Sequence, residues 1–102
     1  MTTISSVSAI SMSGMQAAET RLQASAHNIA NSATEGFHRQ EVVQAAEAGG
    51  GVQTQVARAP SPGDAPIADA LDQIAARQDF LANLSVFKTG NQMLGRLLDA
   101  KA

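Results

Sequence analysis

The chain has no cysteine, no tryptophan and no tyrosine, and only three phenylalanines in 102 residues. Without thiols there is no disulfide framework and no thiolate metal site, and the compartment is left open. Charge is also sparse: seven Lys and Arg stand against nine Asp and Glu, dispersed, with a net of −2. There is no basic patch for phosphate and no polybasic segment for anionic lipid, so nucleic acid is not an expected partner. No run approaches the roughly 18 apolar residues of a membrane helix, so membrane insertion is not expected. The opening "MTTISSVSAISMSGM" lacks a basic start and a continuous apolar stretch. It does not read as a Sec signal.

Alanine is what the chain has in quantity, at 20 residues. Small side chains suit close helix packing but bury little area each. A large self-contained core is therefore not expected, and help from a partner chain is.

Three segments emerge within a single domain of residues 1–102: 1–36, 37–63 and 64–102. From Thr2 to about Asn31, Ile4, Ser8, Ser11, Met15, Ala18, Leu22, Ser25 and Ile29 recur in steps of three and four. That is a helical heptad rhythm. Glu19, Arg21, Gln23 and His27 are placed on the solvated side. The part before Met15 is rich in Ser and β-branched residues, poor helix material, and is expected to fray in a free monomer. The helix should stop near Asn31, with Gly36 taking a positive φ in the following turn.

In the middle segment Val52, Thr54 and Val56 alternate with Gln53, Gln55 and Ala57, which reads as a strand. Val42–Ala45 can pair with it across the Gly49–Gly51 turn. "APSPGDAP" then breaks the chain, Asp64 is expected to cap a new helix, and Pro66 is tolerated in its first turn. Asp69 and Asp72 sit near the positive end of that helix dipole, Arg96 and Lys101 near the negative end. The second helix is expected from Ala65 to Asp99, roughly 50 Å at about 1.5 Å per residue. Ile67, Leu71, Ile74, Leu81, Leu84, Phe87, Leu94 and Leu98 are expected to form one apolar stripe on it. Phe80, Leu84, Phe87, Asn91, Leu94 and Leu98 step by four and three. The first helix could cover only part of that stripe, and an exposed apolar stripe marks an interaction surface. Asn91 on the stripe is a candidate for setting register or oligomeric state.

Chemistry is thin. His27 and His38 lie in different segments with no further ligands at zinc spacing. Ser25 and His27 make no triad, because Asp is absent from the first 63 residues. "GGG" at Gly49–Gly51 has no Lys-Ser/Thr after it and no helix, so it reads as a turn. Met12, Met15 and Met93 read as packing groups. No catalytic residue, cofactor, metal or small-molecule substrate is expected.

The stretch "SGMQAAETRLQASAHNIANSATEGFHRQ", Ser13–Gln40, resembles the N-terminal signature of the axial rod and hook proteins of the bacterial flagellum. The matching positions include Gly14, Met15, Leu22, Asn28, Ile29, Ala30, Asn31, Thr34, Gly36, Phe37 and Arg39. "FLANLSVFKTGNQMLGRLLDAK", Phe80–Lys101, is similar to that family's C-terminal helix, with Phe80, Asn83, Lys88, Met93, Leu94 and Leu98 among the matches. Short proximal-rod members are the most similar. The resemblance implies a mainly α fold: two long terminal helices packed as an antiparallel hairpin or coiled coil, joined by a short β-hairpin or irregular connector. It implies a structural subunit of the basal-body rod, or a small rod-like paralogue, polymerising through its terminal helices. The implied partners are other rod and hook subunits, further copies of the chain and the type III export apparatus. The implied place is the periplasmic rod, reached without a cleaved Sec signal. Asn28 and Asn31 would then satisfy polar groups at the helix end, Gly36 would supply the bend, and Phe37 would anchor the outgoing segment. Interaction residues would be these together with Met15, Leu22, Ile29, Phe80, Leu84, Phe87, Asn91, Leu94 and Leu98. The alternative is a soluble helical adaptor or export-chaperone-like protein that binds another chain in a groove.

Overall fold

The computed structural model describes residues 4–101. It is mainly helical: α1 (Ile4–Ala30), β1 (Gln40–Ala46), β2 (Val52–Arg58) and α2 (Pro66–Lys101). The two long helices pack against each other and a two-stranded antiparallel hairpin joins them, which is the arrangement expected. The molecule is elongated, 63 × 24 × 14 Å, with a radius of gyration of 17.4 Å. A rounded chain of this length would have about 13 Å.

Helix α1 is continuous from Ile4 and takes in the Ser-rich stretch before Met15, for which the expectation was fraying in the free monomer. Thr2, which that expectation also covered, lies outside the described residues. The serines fit because their hydroxyls turn back onto the helix. Ser11 donates to the Ser8 carbonyl at 2.9 Å and Ser25 to that of Leu22 at 3.0 Å. Both are thereby buried without an unpaired polar atom. The helix ends where Asn31 takes over the His27 carbonyl, with its backbone N–H at 3.1 Å and its side-chain amide at 2.9 Å. Thr34 then bonds Asn31, and Gly36 turns the chain at φ 74°.

The hairpin pairs Val42 with Val56 and Ala46 with Val52. Its turn closes with Gly50 N–H donating to the Glu47 carbonyl at 3.0 Å. Pro66 opens α2 as expected, but the cap assigned to Asp64 is not formed. The residue before Pro66 is Ala65, whose carbonyl accepts from Asp69 N–H at 2.9 Å, while Asp64 stands one place further out and makes no bond to the first turn.

Cross-helix bonds fix the register of the helices. Ser8 meets Asn91, Arg21 meets Asp79 and Asn28 meets Asp69. Arg21 is therefore drawn to the inter-helix rim, at 2.6 Å from Asp79, rather than left on the solvated side. The seam is made of small groups. Ala18, Ser11, Ser25 and Ala76 are buried, and a Cβ at Gly14 would lie 2.5 Å from Asn83 Oδ1. Ala17 and Ala24 are also buried, and α1 packs against the hairpin as well as against α2. Among the described residues no Leu, Ile, Val, Met or Phe is fully buried, so the core is thin.

The apolar stripe expected on α2 divides into two faces. Phe80, Leu84 and Phe87 are half-buried on the side of α1, in line with buried Asp69, Ala76 and Gly90. Ile67, Leu71, Ile74 and Leu81 point the other way and are exposed, Ile67 by 78%. The reason is angular. Leu81, Leu84 and Phe87 are two steps of three, each about 60° short of a turn at roughly 100° per residue. Phe87 therefore points about 120° away from Leu81. Leu94 is marginally exposed, and Leu98, 62% exposed, lies past the described start of α1.

Candidate functional site

The residues that the sequence singled out gather at two places. The first is the corner where α1 ends, β1 begins and α2 begins. Asn28, on the last turn of α1, is buried and faces Gln40. Its Nδ2 donates to the Gln40 carbonyl at 3.0 Å, and its Oδ1 accepts from Gln40 N–H at 2.7 Å. The side-chain amide thus acts as a one-residue neighbouring strand for β1. The same Nδ2 donates to Asp69 Oδ1 at 3.3 Å.

Asp69 is the centre of this corner and is 1% exposed. Arg39 grips it with both ends of its guanidinium, Nε to Oδ2 at 3.2 Å and Nη2 to Oδ1. A buried carboxylate is tolerable only with such compensation. The Asp69 hydrogen bond holds the Arg39 guanidinium above its ordinary range, against an opposing effect of burial. One carboxylate thus joins three elements.

The other named residues surround it. Asn31 caps the helix end, and Gly36 makes the bend, exposed and with open space where a Cβ would go. Phe37 is half-buried, with its ring 5.4 Å from that of His27, and its carbonyl accepts from Gly63 N–H at 3.0 Å. Ile29 is half-buried beside it. His38 bonds the Ala59 carbonyl through Nδ1 at 2.7 Å.

The second place is the length of the helix pair. Met15 and Leu22 of α1 and Phe80, Leu84 and Phe87 of α2 are half-buried along the seam. Asn91 is exposed at its rim, 3.5 Å from Ser8 Oγ. Leu98 does not join them. On the opposite side of α2 lie Ile67, Leu71, Ile74 and Leu81, and near its C-terminal half Val86 and Met93 flank a shallow apolar hollow with Val7.

Sequence reasoning passed over Asp69, Ser13 and Gln40. Asp69 drew notice only as a charge near a helix start. The readable signal was its spacing: stepping back from Phe87 by seven, seven and four reaches Phe80, Gln73 and Asp69, so an acid stands on the buried face. Ser13 gave no such signal. Its Oγ donates to the Val52 carbonyl and accepts from Val52 N–H, both at 2.8 Å.

The polar contacts of Asn28, Arg39, Asp69 and Ser13 join one element to another. The architecture is that of a structural helix pair carrying a β-ribbon. Among the described residues no group of His, Asp and Glu is placed to hold a metal ion, and no helix is long and apolar enough to cross a membrane. Residues 9–38 match the family model for flagella basal body rod proteins. That match is a similarity of α1 and the turn after it to the basal-body rod family. It takes in α1 from Ala9 and the turn as far as His38, and stops short of Phe80–Lys101. No curated protein matches the chain significantly.

Proposed function

We propose that this chain is a structural subunit of the flagellar rod, or a small rod-like paralogue, that polymerises through its terminal helices. The observation that carries this is the outward aliphatic face of α2, set opposite the side that α1 covers. Fully burying such a side chain is worth about 1.5–3 kcal/mol, so finishing four half-exposed ones is worth roughly 3–6 kcal/mol. Association of two bodies costs an estimated 4–15 kcal/mol. A second copy that buries the same face doubles the gain to roughly 6–12 kcal/mol, inside the range of that cost, so a single contact is marginal and further neighbours add to it. The partners are other rod and hook subunits and further copies of the chain, with delivery by the export apparatus.

The test is Leu71→Asp with Leu81→Asp in the full chain. Both side chains are exposed, so the circular dichroism of the free chain should be unchanged. Self-association in sedimentation and recovery with purified basal bodies should both be lost. Normal recovery of the double variant would refute the assignment of this face. Under the adaptor reading, the wild-type chain would instead stay in a discrete soluble complex and be missing from basal bodies.

A further inference from the structure

We infer that the free edge of β1 is a docking edge for an extended, basic segment of another protein, which adds a third strand to the ribbon. Hydrogen bonds cross the ribbon at both ends between odd-numbered residues. Ala59 N–H donates to the Arg39 carbonyl at 2.8 Å and Glu47 N–H to the Gly51 carbonyl at 3.1 Å. Antiparallel pairing alternates, so the even-numbered residues of β1 direct N–H and C=O away from β2. At Gln40 both outward groups are taken by Asn28. At Val42 and Gln44 they meet no partner among the described residues, and both residues line a polar groove between β1 and the two helices. The equivalent edge of β2 begins at Val52, where Ser13 takes both outward groups.

Charge identifies the occupant. The two arginines that line the groove are already engaged, Arg21 with Asp79 and Arg39 with Asp69. Glu41 and Asp72 also line it, are exposed, and make no ion pair. The groove therefore offers the backbone donors and acceptors of Val42 and Gln44 beside a surplus of carboxylates: Glu41, Asp69 and Asp72 line it against Arg21 and Arg39, and Glu41 and Asp72 act on Arg39 only at longer range. Its complement is a β-strand carrying Lys or Arg, the strand-addition mode of peptide recognition. This inference concerns the ribbon and stands apart from the face of α2 used for assembly.

The test uses the full chain labelled with ¹⁵N and a six-residue peptide that alternates lysine with valine and threonine. A peptide with glutamate in place of lysine is the comparison. The lysine peptide should shift the amide resonances of Val42 and Gln44 and slow their hydrogen exchange about tenfold or more. Gln44→Pro removes only an outward N–H, so the ribbon should persist while binding is lost. Glu41→Lys with Asp72→Lys, at two exposed sites, should weaken binding about tenfold and keeps the test decisive if the proline disturbs the strand. No shift with either peptide would overturn the proposal. So would shifts confined to α2, equal binding of the glutamate peptide, or undiminished binding by the charge-reversed variant.

Discussion

Asp69→Ala should be among the most damaging single substitutions in this chain. It removes the carboxylate that accepts from Arg39 and Asn28 and leaves both donors short of a partner. Breaking a buried ion pair from one side costs about 3–5 kcal/mol. Arg39 keeps 24% of its side-chain surface exposed and can recover some hydration, so the low end applies, about 3 kcal/mol. A domain of this length is stable by about 5–15 kcal/mol in all. The midpoint of thermal unfolding should fall by roughly 12–24 °C at about 4–8 °C per kcal/mol. Arg39→Met should cost more than Asp69→Ala, because the orphan is then the fully buried carboxylate. The assay is urea and thermal unfolding followed by circular dichroism for both single variants and the double. The double-mutant cycle should return a coupling energy of about 1.5–3 kcal/mol. A loss under about 0.5 kcal/mol for Asp69→Ala, or a coupling of zero, would refute the claim that this ion pair ties the elements together. The sign of the pH effect also follows. The folded-state pKa of Arg39 is raised, so its contribution is whole below the ordinary guanidinium range and is lost only as pH rises through it. The cost of Arg39→Met should therefore not decline between about pH 7 and about pH 9.

Three smaller effects are expected. Gly14→Ala should destabilise by about 1–2 kcal/mol because its Cβ meets Asn83, yet in an Asn83→Ala background it should stabilise by up to about 1 kcal/mol through helix propensity. A cycle of unfolding midpoints reads that reversal. Gly36→Ala should cost about 1 kcal/mol although nothing lies within 4 Å, because φ is 74° there; denaturant melts check it. Ser13→Ala should cost about 1–2 kcal/mol and speed amide exchange at Val52, with little change at Gln40.

Both helices and the second strand were legible in the sequence to within a few residues because each announces itself by period, three and four along α1 and α2, two along Val52, Thr54 and Val56; the first strand was legible only as its partner across the glycines. The pairing of the two strands across Gly49–Gly51 was legible too, but its register was not. A polar role for Asn28 at the helix end came only through the resemblance, and its partners Gln40 and Asp69 were not legible. The division of the α2 stripe was misread because leucine spacing by threes and fours looks continuous on paper while the direction drifts around the axis. Asp64 was misread as a cap, while Asp69 was placed correctly in the first turn but without its partners. Both are acids near a helix start, and only the fold shows that one faces Arg39 and Asn28 while the other faces water. The Ser13 contact spans 39 positions to the backbone of Val52, and backbone partners leave no trace in residue type.

The two side-chain grips on the ribbon, Asn28 at Gln40 and Ser13 at Val52, fall on different strands and at opposite ends. A panel pinned at two diagonal corners cannot slide along its support or peel away from one side. It can rock about the line between the pins. The two unpinned corners, at the tip of β1 and the end of β2, should therefore swing in opposite senses, and the motion of one should be mirrored in the other.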